Sequence, residues 1–163
     1  MEQAIIGRCI SLCLIAVTVF LSVLVEAQNL SELPVVARSG NWSVRRSADT
    51  MTDEVSCTGF YKDRFDIQLE KSVFYIDMRD RGGVSLVTLR FDDGSHKPER
   101  LASETERKNS IIILEGEEFE ELLKSKRLRA RIFTILDTVI DEDIDLTGLE
   151  QTHTVITGTQ CAR

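Results

Sequence analysis

The chain has 163 residues, a formal net charge of −7, 42% hydrophobic residues and 29% charged residues. That balance argues against a disordered chain. Its acidity argues against nucleic acid or an anionic membrane surface as a partner.

The chain opens with a weakly positive stretch containing Glu2 and Arg8, followed by residues 9–25, which carry no charge. Val25-Glu26-Ala27 then places small side chains where a signal peptidase reads, so residues 1–27 are expected to be a signal peptide cut before Gln28. An uncleaved anchor stays open, because the apolar run reaches the lower bound of about 17 residues for a membrane span. Cys13 follows Ile-Ser-Leu inside the run, which does not suit a lipid anchor. Either outcome puts the rest of the chain outside the cytoplasm, periplasmic or secreted, with a membrane association only if the segment is retained. Residues 28–39 lack a sustained period and are expected to be a flexible leader. Residues 40–163 are expected to form one β-rich domain.

Trp42-Ser43-Val44 alternates and starts a strand, with Trp42 as a core anchor. Residues 47–54 are turn-like, and 55–61 form a strand carrying Cys57. Residues 73–78 and 84–91 are expected to be strands, joined as a hairpin by Arg79-Asp80-Arg81-Gly82-Gly83. Asp92-Asp93-Gly94 makes the next turn. Residues 99–107 suit a short strand or a helix. Residues 110–114 read as a buried strand. Phe119, Leu122 and Leu123 then fall at helical spacing among glutamates, with Lys124 at the end, which predicts a helix over 115–124. Residues 128–136 alternate, with Arg129 and Arg131 on the face opposite Leu128, Ala130 and Ile132. Residues 139–146 suit a strand with an acidic face. Residues 147–157 suit a short helix, weakened by β-branched residues.

Strands of this number, with turn signals and one or two short helices, predict a mainly β domain, an antiparallel β-sandwich or barrel-like fold. Cys9 and Cys13 leave with the signal, so Cys57 and Cys161 form an even pair in an oxidising compartment. No C-x-x-C spacing supports a redox role, and a structural disulfide is expected. Closing a loop of about 100 residues is worth up to roughly 4.7 kcal/mol in the chain-entropy view.

Gly40-Asn41-Trp42-Ser43-Val44, the turn Met51-Thr52-Asp53-Glu54 before Cys57, the helix-then-basic-strand segment 122–132, and Asp145-Leu146-Thr147-Gly148-Leu149 ahead of Cys161 together resemble small exported proteins. These are the invasion-associated locus B family and the periplasmic accessory proteins of type VI secretion. The resemblance spans most of residues 40–161 and implies an exported β-rich fold without established catalysis. One departure is that Val44, Arg45 and Arg46 stand where the invasion-associated proteins tend to place a cysteine, so their pairing is not carried over.

Chemistry-bearing patterns are sparse. Asp141-Glu142-Asp143-Ile144-Asp145 is the densest acidic run. Leu146 and Thr152 stand where an EF-hand loop needs Gly and Glu, so a solvated acidic face is expected rather than a calcium site. His96 and His153 match no zinc spacing, and no G-x-S-x-G marks a nucleophile. Gly82-Gly83 is no phosphate loop. Arg127, Arg129 and Arg131 form a basic ladder, suited to nearby carboxylates or to an acidic partner. Asn29-Leu30-Ser31 and Asn41-Trp42-Ser43 match the glycosylation sequon, which matters only in a eukaryotic source. No catalytic, cofactor or metal residue is assigned. The expected role is binding another envelope or secreted protein. The alternative is a small hydrolase-like enzyme assembled from dispersed acids and a histidine.

Overall fold

The computed structural model describes residues 30–161; the expected signal segment and its cleavage site lie outside them. In chain order the strands are β1 (Val35–Ser39), β2 (Trp42–Ala48), β3 (Val55–Tyr61), β4 (Arg64–Leu69), β5 (Val73–Asp77), β6 (Leu86–Phe91) and β7 (Arg100–Leu101). Helix α1 (Glu104–Asn109), β8 (Ile111–Glu115), α2 (Gly116–Lys124), β9 (Arg127–Phe133), β10 (Val139–Asp145) and α3 (Leu149–Thr157) follow.

Two antiparallel sheets result, as a β-sandwich requires. The large sheet runs β1-β2-β3-β4-β5-β8 and the small one β10-β9-β6-β7. Alternation decides which side chains enter between them, because successive residues of a strand point to opposite faces. Ile67, Ile76 and Ile112 form one cross-strand row of the large sheet, and Leu69, Phe74 and Leu114 another. Val87, Leu89, Leu128, Ala130, Ile132 and Ile144 face them from the small sheet, all buried. Trp42 is 1% exposed and packs its ring against Tyr61 and Phe74.

Helix α3 lies against β1, β2 and β3, burying Leu149, Thr152 and Ile156. The approach is close: a Cβ on Gly40 would stand 2.3 Å from the Thr147 carbonyl oxygen, and one on Gly148 2.3 Å from that of Ser39. Both glycines also have positive φ, so the β1–β2 turn and the start of α3 fit each other only without side chains. Cys57 of β3 is bonded to Cys161, which tethers the segment after α3 to the large sheet.

Several expectations need correction. Residues 73–78 and 84–91 do not make a hairpin: β5 pairs with β4 and β8, and β6 with β7 and β9. Met78 and Val84 are fully buried, and a 3-10 turn over Arg79–Arg81, followed by Gly82 and Gly83 at positive φ, carries the chain from one sheet to the other. Part of the segment read as a leader forms β1. This edge strand is paired on one side only and its register shifts between Val35 and Ala37, so it shows no clean period. Strand β4 was not anticipated. Residues 99–107 split into β7 and α1, the helix opened by a capping box between Ser103 and Glu106.

Candidate functional site

The outer face of the small sheet collects the features that the core does not use. Strand pairing places Leu101 opposite Leu86, Leu86 opposite Phe133, and Phe133 opposite Val139. One apolar row therefore crosses all four strands on the solvent side. Leu101 is 72% exposed and Val139 55%. The β9–β10 hairpin extends the row with Ile135 and Leu136, the latter 71% exposed, whose side chains lie over Gly83 and Gly82. Single exposed aliphatics are ordinary, whereas this set is contiguous and in register.

The next rows are charged. Arg131 lies between Thr88 and Asp141, and Arg129 between Arg90 and Asp143. The basic ladder predicted on one strand face is present, and most of it is answered by carboxylates. Arg131 donates to Asp141 at 2.8 and 3.0 Å. Arg127 donates through Nε to Asp143 at 2.7 Å and through Nη2 to its other oxygen. These arginines hold the Asp141 and Asp143 carboxyls below the usual carboxylate range. Asp145 is lowered chiefly by hydrogen bonding from Thr147.

Arg129 and Arg90 differ. Among the described residues Arg129 makes one hydrogen bond, 2.9 Å to Asp93, whose side chain is 93% exposed. Its Nε is buried without a partner among the described residues. Among the described residues Arg90 donates only to backbone carbonyls, those of Gly94 at 2.8 Å and Asp93 at 3.2 Å. The two guanidinium-bearing residues are direct cross-strand partners.

A strap over residues 92–99 forms the wall of a cleft of about 730 Å³ above these rows. The strap is anchored where Asp92 accepts hydrogen bonds from the Lys126 and Arg127 amides, and where Lys97 reaches Glu121 at 2.5 Å. The cleft brings His96 together with Glu99, Asp141 and Asp143. His96 Nδ1 lies 3.1 Å from the Lys97 carbonyl, with no hydrogen bond to a carboxylate among the described residues. His153 lies elsewhere, its Nε2 2.8 Å from the Lys71 carbonyl and its ring against Phe119. The two histidines are therefore not brought together.

The acidic run 141–145 is divided by strand alternation. Asp141, Asp143 and Asp145 face out, while Glu142 is 9% exposed and turns inward, where it meets Arg64 of β4 at 3.3 Å and Arg81 at 2.5 Å. Among the described residues no group of acids, histidines or cysteines is arranged to hold a metal ion. Sequence reading missed Glu106, which is 2% exposed. It accepts a forked pair of hydrogen bonds from Arg100 and two more from the Ser103 and Ile113 amides. The S-x-x-E spacing of Ser103 and Glu106 was the available signal. Both Glu106 and Glu142 tie elements together, and Glu106 does not line the cleft.

This geometry defines an antiparallel β-sandwich with an apolar and charged outer sheet face. Among solved structures, invasion associated protein B from Bartonella henselae bears a weak structural resemblance, with a TM-score of 0.41 and 14% identity over 76% of this chain and 96% of that chain. No family model matches the chain, and no curated protein matches it. Asn41 of the second sequon donates to Asp145 at 3.0 Å, while Asn29 lies outside the described residues. Among the described residues no helix is long and apolar enough to cross a membrane.

Proposed function

We propose that the chain is an exported accessory protein that acts by binding another envelope or secreted protein through the outer face of the small sheet. The observation that carries this reading is the apolar row Leu101–Leu86–Phe133–Val139, continued by Ile135 and Leu136. The disulfide fits an oxidising compartment. Residues 1–27 supply the export signal in this reading.

The test is photo-crosslinking in cells from a photoreactive amino acid at position 101 or 136. A control at Met51, a 90% exposed residue of the β2–β3 turn, accompanies it. Capture of the same protein from both face positions and not from the control is expected. Nothing captured above background by a folded, abundant protein sinks the reading. The hydrolase-like alternative draws on the meeting of His96, Glu99, Asp141 and Asp143 in the cleft. It stands second because Arg131 and Arg127 already occupy the two aspartates.

A further inference from the structure

We propose that Arg90 and Arg129 form a carboxylate subsite of this docking face, so that the bound partner segment is acidic as well as aliphatic. The inference rests on the docking reading and adds the partner's chemistry to it.

Like charges placed directly across two strands destabilise a sheet. Elsewhere on this face the sheet avoids that cost by giving Arg131 and Arg127 their own aspartates. Arg90 and Arg129 are set side by side instead. Asp143 stands across from Arg129 on β10 but its carboxylate accepts hydrogen bonds from Arg127. The carboxylate that is hydrogen-bonded to the pair among the described residues is that of Asp93 on the strap, and it is almost wholly in water, where an ion pair contributes little and is readily exchanged. A guanidinium offers five donors in a fixed fork, and Arg129 uses one of them among the described residues. Glu99, at the cleft rim, and Asp141 and Asp143, already engaged by arginines, are the remaining cleft-lining carboxylates outside the inward-turned Glu142.

Position adds to the charge argument. Arg129 is separated from Phe133 of the apolar row by Arg131 on the same strand face, and all three line one cleft. A segment lying across Leu86 and Phe133 brings an acidic side chain a few residues along onto the Arg90–Arg129 pair. Arginine is suited to such a contact because its fork matches a carboxylate in two parallel hydrogen bonds.

The experiment selects a random dodecapeptide library, displayed on phage without free C-termini, against the folded, oxidised protein. Enriched peptides are then synthesised and titrated by fluorescence anisotropy. Peptides combining aliphatic residues with Asp or Glu are expected. Their affinity should fall about tenfold in Arg129→Gln, the worth of one charged hydrogen bond, recover partly in Arg129→Lys, and fall also in Leu136→Asp. Peptides that are neutral or basic, need Leu136 and ignore Arg129 overturn the carboxylate subsite but leave the docking face standing. Peptides indifferent to Leu136 overturn both, and a selection without enrichment overturns the subsite. Unchanged circular dichroism and melting of the variants show that the fold is intact.

Discussion

Two arginine sites are built in opposite ways. Arg100 of β7 meets Glu106 in two short hydrogen bonds, and each remaining oxygen site on Glu106 is met by a backbone amide. Arg90 and Arg129 of the small sheet stand together with one water-exposed aspartate between them. The first arrangement closes upon itself and holds α1 against β8; the second is open. A buried charge is tolerated where every bond is made. A charge on the surface is answered by water and stays open to an added carboxylate.

The largest effect tests the closed site. Glu106→Ala leaves Arg100 and two amides without their acceptor and should cost about 3–5 kcal/mol, read by urea unfolding at neutral pH. Burial pushes the Glu106 carboxyl up, but Arg100 and the two amides outweigh it and hold it below its ordinary value. A lowered folded pKa contributes stability above the unfolded value, near 4.3 for glutamate. That contribution is lost as the pH falls through the lower folded value. The wild type should therefore lose more stability than Glu106→Gln on acidification from pH ~5 downward; parallel losses would show that Glu106 is not the group responsible.

The disulfide comes next. Replacing Cys57 and Cys161 by serine should cost about 2–5 kcal/mol, measured by thermal melting under non-reducing conditions. The loss belongs to the large sheet and α3, so peptides bound at the small-sheet face should bind the still-folded variant as before at low temperature. Leu136→Asp and Leu101→Asp should shift stability by no more than about 0.5 kcal/mol, because both side chains already stand in water. Each should abolish crosslinking to the partner. A large loss of stability would instead make the row part of the structural core.

Local pattern made much of the sandwich legible. Alternation marked the start of β2 and most of β9, a run of isoleucines marked β8, and helical spacing with charged ends marked α2. What failed was pairing. Strands 73–77 and 86–91 carry equally good signals, but Met78 and Val84, the buried residues of the crossover between sheets, look like strand ends in one dimension. Strand β4 was missed although Phe65, Ile67 and Leu69 alternate with polar residues; its register shifts against β3, so Phe65 packs on Phe60 while Ile67 and Leu69 enter the core. The outer face of the small sheet was half visible. The arginine ladder was read from spacing two apart. The row Leu101–Leu86–Phe133–Val139 draws one residue from each of four strands, and no sequence window contains it.

The smallest effect is the most discriminating. In a double-mutant cycle of Arg90→Gln and Arg129→Gln, the coupling between two like charges across neighbouring strands should be unfavourable to folding by about 0.2–1 kcal/mol. Each single replacement also removes other bonds, those of Arg90 to the Gly94 and Asp93 carbonyls and that of Arg129 to Asp93; the cycle cancels these. Both side chains are near the surface, so the coupling should shrink as added salt brings the Debye length from about 30 Å at 0.01 M to about 3 Å at 1 M. It should also shrink when an acidic peptide is bound. A favourable coupling would mean that the strap already neutralises the pair, and Arg90 and Arg129 would then belong with Arg100 as structural cations.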